Sequence, residues 1–182
     1  MSQGSLLQRF SIELADADRS VYETLDVRVA QHASETAIYL VTRVLAYCLE
    51  YAPGLEIAGE LCVPDGPSIA LPGEHGQLAR WIEVGLPAAK RLHKAAKSAP
   101  TVVLYPHRDT TAWLEECRKE RIHRASEIAM VTLELEAVAR VAEAIDRTNR
   151  WQVSVNDGDL WLTSKELAEH VPLARSFPFA AG

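Results

Sequence analysis

The sequence predicts an α/β domain: a mixed sheet flanked by helices, with a β-hairpin near each end. Three observations predict it. Residues 6–15 and 21–30 each alternate apolar and polar side chains with period two. Residues 78–105 read as strand, helix, strand, the pattern of a parallel pair with a crossover. Residues 151–163 hold two alternating runs around Asp157-Gly158, a favoured two-residue hairpin turn.

In the opening pair, Ile12 and Leu14 share one face, as do Leu25, Val27 and Val29. The link Asp16-Ala17-Asp18-Arg19 is short and polar, so the two strands form an antiparallel hairpin. Ser34 suits a helix N-cap, because its hydroxyl can accept a free first-turn N–H. After it, Ile38, Val41, Leu45, Cys48 and Leu49 recur at helical spacing, widened by Leu40 and Val44 into a mostly buried helix that Pro53-Gly54 stops. Residues 55–63 read as a strand, and 64–73 as a run of turn formers around a short apolar piece. LARWIEV (78–84) is a strand; Pro87 suits helix position N1, the helix covers 88–98, and TVVLY (101–105) is a buried strand. Residues 109–121 predict a helix, 127–133 a strand and 136–148 an amphipathic helix. From about residue 165 to 182 the periodicity fades, which predicts an irregular surface tail.

The 182 residues fit one domain spanning 1–182, with room for a sizeable core. No apolar run is long enough for a membrane helix, and the start MSQGSLLQRF does not read as a secretory leader. Cys48, Cys62 and Cys117 are odd in number and widely spaced, which suits reduced thiols in a cytoplasm. A net charge of −6 argues against a general nucleic-acid coat protein but leaves room for a local basic face. No P-loop, G-x-G-x-x-G, G-x-S-x-G or metalloprotease helix motif occurs, so kinase, dehydrogenase and serine-hydrolase readings lack their usual support.

Three places can carry chemistry. Glu35 starts a buried helix. Glu83 shares a strand face with Trp81 and Gly85, and a carboxylate there needs a partner, a metal or water. Lys90, Lys94 and Lys97 share one face of the next helix. Carboxylates beside a lysine suit metal-assisted phosphodiester chemistry with Mg²⁺ or Mn²⁺. Each also has a plain structural reading: a helix-start acid, a solvated strand end, and a solvated helix face.

The opening hairpin with Ala15-Asp16-Ala17-Asp18-Arg19 and the run His32-Ala33-Ser34-Glu35-Thr36 resemble the start of YaeQ proteins. So do Trp81-Ile82-Glu83-Val84-Gly85-Leu86-Pro87, Lys90-Arg91, Lys94-Ala95 and Asp157-Gly158-Asp159-Leu160-Trp161-Leu162, in order over roughly residues 8–164. The resemblance implies a restriction-endonuclease-like fold of the PD-(D/E)XK nuclease superfamily. It implies Glu35 in the first-helix role and Glu83 as the metal-binding Glu. Lys90, Arg91 and Lys94 match basic residues of the following helix, which with Lys97 form a nucleic-acid-binding face. Two positions depart from the pattern: Ser68 stands where the Asp of a Pro-Asp pair is expected, and Leu86 where a Gln is expected. Asp65, or Glu74, is an alternative acid, although Pro64-Asp65-Gly66 reads first as a turn. Two functions follow as expectations: a metal-dependent nuclease with a variant site, or an inactive nuclease-like fold that binds nucleic acid or a protein partner.

Overall fold

In a computed structural model that describes residues 6–58 and 65–180, both hairpins and the strand–helix–strand unit are present. Strands β1 (Leu6–Asp16) and β2 (Val21–Gln31) pair antiparallel along their full length. Their inward residues Phe10, Ile12, Leu14, Leu25, Val27 and Val29 are buried, as period two requires. Helix α1 (Ala37–Leu49) follows, and then β3 (Glu56–Ile57), β4 (Ile69–Pro72) and β5 (Leu78–Val84). Helix α2 (Ala89–Ser98), β6 (Thr101–Tyr105), α3 (Thr111–Arg118), β7 (Ala129–Leu133) and α4 (Leu135–Glu143) come next. The chain closes with β8 (Thr148–Asn156), β9 (Asp159–Thr163) and β10 (Ala168–Ser176).

The strands form one mixed sheet in the order β2-β1-β8-β9-β10-β7-β6-β5-β4-β3. The pairs β1–β8, β5–β6 and β6–β7 are parallel and the rest antiparallel. Helices α1 and α4 cover one face of the β2-β1-β8-β9 half with an apolar core. A second side of α1, including Ala46, packs on Ile82, Val84, Val103 and Tyr105. The alternate residues Trp81, Val102 and Leu104 face the other way, onto Leu92, Ala95 and Ala96 of α2 and Cys117 of α3. Strands β5 and β6 are therefore sandwiched between α1 and α2, which is why they are apolar on both faces.

Several local expectations need correction. Thr36, not Ser34, caps α1: its hydroxyl accepts the Tyr39 N–H at 3.1 Å, while the Ser34 hydroxyl is engaged by His32 Nδ1 at 2.8 Å. Pro87 precedes the α2 cap residue Ala88 rather than occupying N1. Helix α4 ends at Glu143, not 148, because Asn149 builds a turn: its Oδ1 accepts the Asp146 N–H at 2.8 Å and its Nδ2 donates to the Asp146 carbonyl. Helix α3 is shorter than 109–121, and the strand expected over 127–133 begins at Ala129 after a single helical turn. Of the strand expected over 55–63, Glu56–Ile57 is a strand and the part from 59 lies outside the described residues. The apolar piece within 64–73 is itself strand β4. The largest correction is the tail. Ala168–Ser176 is β10, which pairs with β9 through Pro172 and with β7 from Leu173, and so joins the two halves of the sheet.

Candidate functional site

Glu83, Leu86 and Ser68 lie at the carboxyl end of β5, beside that of β6, where open α/β sheets present ligand crevices. Glu83 lies on the α2 side of β5, between Trp81 and Gly85 in the alternation. Antiparallel pairing of β4 with β5 sets Ile69 opposite Ile82, and one further step of that register sets Ser68 opposite Glu83.

The Glu83 carboxylate is only 6% exposed, and both of its oxygens are taken. Trp81 Nε1–H donates to Oε2 at 2.8 Å and Arg91 Nε–H donates to Oε1 at 2.8 Å. Arg91 Nη2 reaches the Gly66 carbonyl at 2.6 Å, and the guanidinium lies 5.8 Å from the Trp81 ring centroid. Burial raises the Glu83 carboxyl above its ordinary value, while the hydrogen bonds from Arg91 and Trp81 act in the opposite direction. Ser68 is buried too, and its Oγ accepts the Val84 N–H at 3.1 Å.

Glu35 is turned to other work. Its Oε2 accepts the His32 N–H at 3.2 Å and lies 3.4 Å from Arg43 Nη2. Arg43 is buried in the middle of α1, donates to the Ala30 carbonyl at 2.7 Å and stands 5.7 Å from the Tyr39 ring centroid. Tyr39 stands between this group and the first: its ring lies against Arg43, and Ser68 is near enough to act on its phenol. Burial, the largest cause, raises that phenol. Gly85, at φ +110, ends β5 in a conformation that L side chains rarely adopt, and a Cβ there would stand 3.4 Å from the Tyr39 ring. Past β6, the His107 ring meets Tyr39 edge-on at 5.2 Å, and burial followed by the neighbouring Arg108 lowers its pKa. Leu86 is half-buried beyond Gly85 and brings no polar atom from its side chain.

The basic residues divide differently from expectation. Arg91, not Lys90 or Lys94, reaches Glu83. Lys90, Lys94 and Lys97 are exposed on the outer side of α2, and Lys94 Nζ lies 3.7 Å from Asp65. Asp65 is itself exposed beside that lysine, so it does not stand in for the missing acid. Arg43, Tyr39 and His107 were not singled out in the sequence. An arginine in the centre of an apolar helix was the available signal for Arg43.

This donor set does not fit a divalent cation. Mg²⁺ and Mn²⁺ call for anionic oxygens with free lone pairs. The one buried carboxylate facing Ser68 is already ion-paired to a guanidinium, and among the described residues no three His, Cys, Asp or Glu side chains converge as ligands.

Comparison with known proteins fits this frame. The family described as YaeQ protein matches residues 1–172. The uncharacterised YaeQ protein of Escherichia coli strain K12 is 30% identical over 166 residues, covering 90% of this chain and 91% of that one. Its counterpart in Salmonella typhi is 27% identical over 165 residues, with the same coverage. The crystal structure of the YaeQ protein from Pseudomonas syringae superposes with a TM-score of 0.83 at 25% identity, covering 94% of this chain and 95% of that one. The structure from Xanthomonas axonopodis pv. citri gives a TM-score of 0.84 at 24% identity, over 94% and 97% of the two chains. With a family match from end to near-end, a relative at 30% identity and this agreement of folds, the chain belongs to the YaeQ family.

Proposed function

We propose that this YaeQ protein carries a PD-(D/E)XK-type, restriction-endonuclease-like fold whose metal position is filled by its own arginine, and that it binds nucleic acid without cleaving it. The observation that carries this reading is the Glu83–Arg91 ion pair across from Ser68. Metal-assisted phosphodiester cleavage needs a cation that polarises phosphate and activates water. Here the guanidinium is the cation, and it can neutralise Glu83 but cannot generate hydroxide. The exposed Lys90, Lys94 and Lys97 on α2 support electrostatic contact with a phosphate backbone.

The test is a binding and cleavage assay on labelled single- and double-stranded DNA and RNA, with Mg²⁺, with Mn²⁺ and with chelator. The expected result is binding that weakens steeply with salt and does not depend on the metal, together with intact substrate. Lys90→Glu with Lys94→Glu should weaken duplex binding by roughly 10-fold, since each phosphate contact adds to the salt-dependent affinity. Metal-dependent cleavage that Glu83→Ala abolishes would overturn the reading.

A further inference from the structure

The face of β2-β1-β8-β9 opposite the helices is uncovered. Cross-strand register orders its side chains into rows. One row runs Tyr22, Ala15, Ser154, Trp161 and, on β10, His170. Ala15 and Ser154 are small, so the row is a trough between two rings about 14 Å apart, three strand spacings. Tyr22 is 65% exposed and Trp161 is 51% exposed. Trp161 is held flat against His170, with centroids 4.2 Å apart and planes 19° from parallel. A large ring fixed in place on an open sheet offers a free stacking surface.

The far end of the same face is cationic. Arg9 and Arg28 are directly opposite in the β1–β2 register, an arrangement of like charges that costs stability in the free protein. Arg150 lies one row nearer, opposite Ser11. Among the described residues none of these three guanidiniums has a carboxylate within ion-pair distance, although the chain as a whole carries a net charge of −6. Of the three acids on this face, Glu13 is engaged by Gln152 at 3.0 Å, Asp159 lies 3.1 Å from His170, and Asp26 stands opposite Ser11 in the Arg150 row. At the cationic end lies a depression of about 600 Å³ lined by Arg9, Arg150, Lys165 and Gln152 together with the acids Glu13 and Asp26.

We infer that this sheet face is a platform for single-stranded nucleic acid. Unpaired bases stack on Trp161 and Tyr22, and the backbone runs along the strands toward Arg150, Arg9 and Arg28. Arg150 and Arg9 lie four and six residues along the sheet from the aromatic row, about 13 and 20 Å, the reach of a few extended nucleotides. A duplex keeps its bases stacked inside and presents no such π-face, so the aromatic row selects single strands. An incoming phosphate would also relieve the Arg9–Arg28 repulsion. The inference rests on the nucleic-acid reading above and adds to the α2 face a second surface, one for single strands.

The experiment measures anisotropy of a fluorescein-labelled oligo-dT of about 12 nucleotides at low salt. Wild type is compared with Trp161→Ala, with Arg9→Glu/Arg28→Glu, and with Lys119→Glu/Arg121→Glu as a charge-matched control, each checked for native circular dichroism. Trp161→Ala should weaken binding about 10-fold, in line with the loss of one stacked base, and Arg9→Glu/Arg28→Glu by more than that. The control should stay within about twofold of wild type. Equal losses in control and sheet variants, or wild-type affinity in Trp161→Ala, would overturn the platform. Loss in Lys90→Glu/Lys94→Glu with the sheet variants unaffected would overturn it too, while leaving the nucleic-acid reading in place. No binding of any strand by wild type would overturn both.

Discussion

Replacing Glu83 with alanine separates the arginine-filled site from a metal site. In Glu83→Ala the Trp81 Nε1–H loses its acceptor at 2.8 Å, and the Arg91 guanidinium loses its carboxylate at 2.8 Å. A buried donor left without a partner costs about 1–3 kcal/mol. Breaking a fully buried ion pair costs about 3–5 kcal/mol. The Arg91 side chain is 30% exposed and keeps the Gly66 carbonyl, so water recovers part of that cost. The sum is about 2–4 kcal/mol, or roughly 4–16 °C in Tm for a domain of this size. Urea unfolding followed by circular dichroism measures it. Glu83→Leu with Arg91→Met should recover the ion-pair share of the loss, because neither charge is left stranded, while the Trp81 N–H still costs about 1–3 kcal/mol. Millimolar Mg²⁺ is the counter-test. A site with a Kd of about 1 mM would stabilise the protein by about 1.4 kcal/mol at about 10 mM metal, a rise of roughly 3–6 °C. Wild type should show no such rise. A rise of that size in wild type that vanishes in Glu83→Ala would refute the reasoning.

Two further outcomes follow from groups around the sheet. Asp18 accepts the Asp157 and Gly158 N–H groups at 2.8 and 2.9 Å and so ties the two hairpin turns together; Asp18→Ala should cost about 1–2 kcal/mol in urea unfolding and leave oligonucleotide affinity unchanged. The folded-state pKa of His107 is depressed, chiefly by burial, so the unfolded chain binds the proton more readily and this residue's contribution falls as pH drops below about 6.5; His107→Phe should flatten the acid side of the stability profile between pH about 6.5 and 5, and an unchanged slope would show that His107 does not drive it.

The parts of the fold legible in the sequence were those whose instructions are local. Period two set β1 and β2, and the positive φ of Asp157 and Gly158 is what an Asp-Gly hairpin turn demands. β10 was illegible because its instructions are not local. It changes partner near Pro172, pairing with β9 before that point and with β7 beyond it, so no single alternation runs through it. At the site, the placement of Glu83 beside Trp81 followed from alternation alone. The partner of Glu83 did not, because it depends on the rotational phase of α2. Leu92, Ala95 and Ala96 fix that phase by facing inward. Arg91 lies four residues before Ala95 and so flanks the buried stripe, whereas Lys90, Lys94 and Lys97 point away from it.

Charge balance describes the cleft around Glu83. In the site that the family resemblance implied, two carboxylates face a divalent cation, and the formal charges cancel. Here one carboxylate, Glu83, faces one guanidinium, Arg91, and the charges cancel again. The Ser68 hydroxyl accepts the Val84 N–H. Ser68→Asp alone would therefore set a second carboxylate against an arginine already paired, and Arg91 would compete with any cation for both acids. The two hairpin turns are held away from this cleft. Arg19 reaches the Cys48 and Tyr51 carbonyls at the end of α1, and Asp18 holds the β8–β9 turn. The motifs at Asp16–Arg19 and Asp157–Gly158 thus keep the scaffold in place whether or not the cleft holds a metal, and the resemblance they carry speaks for architecture, not for hydrolysis.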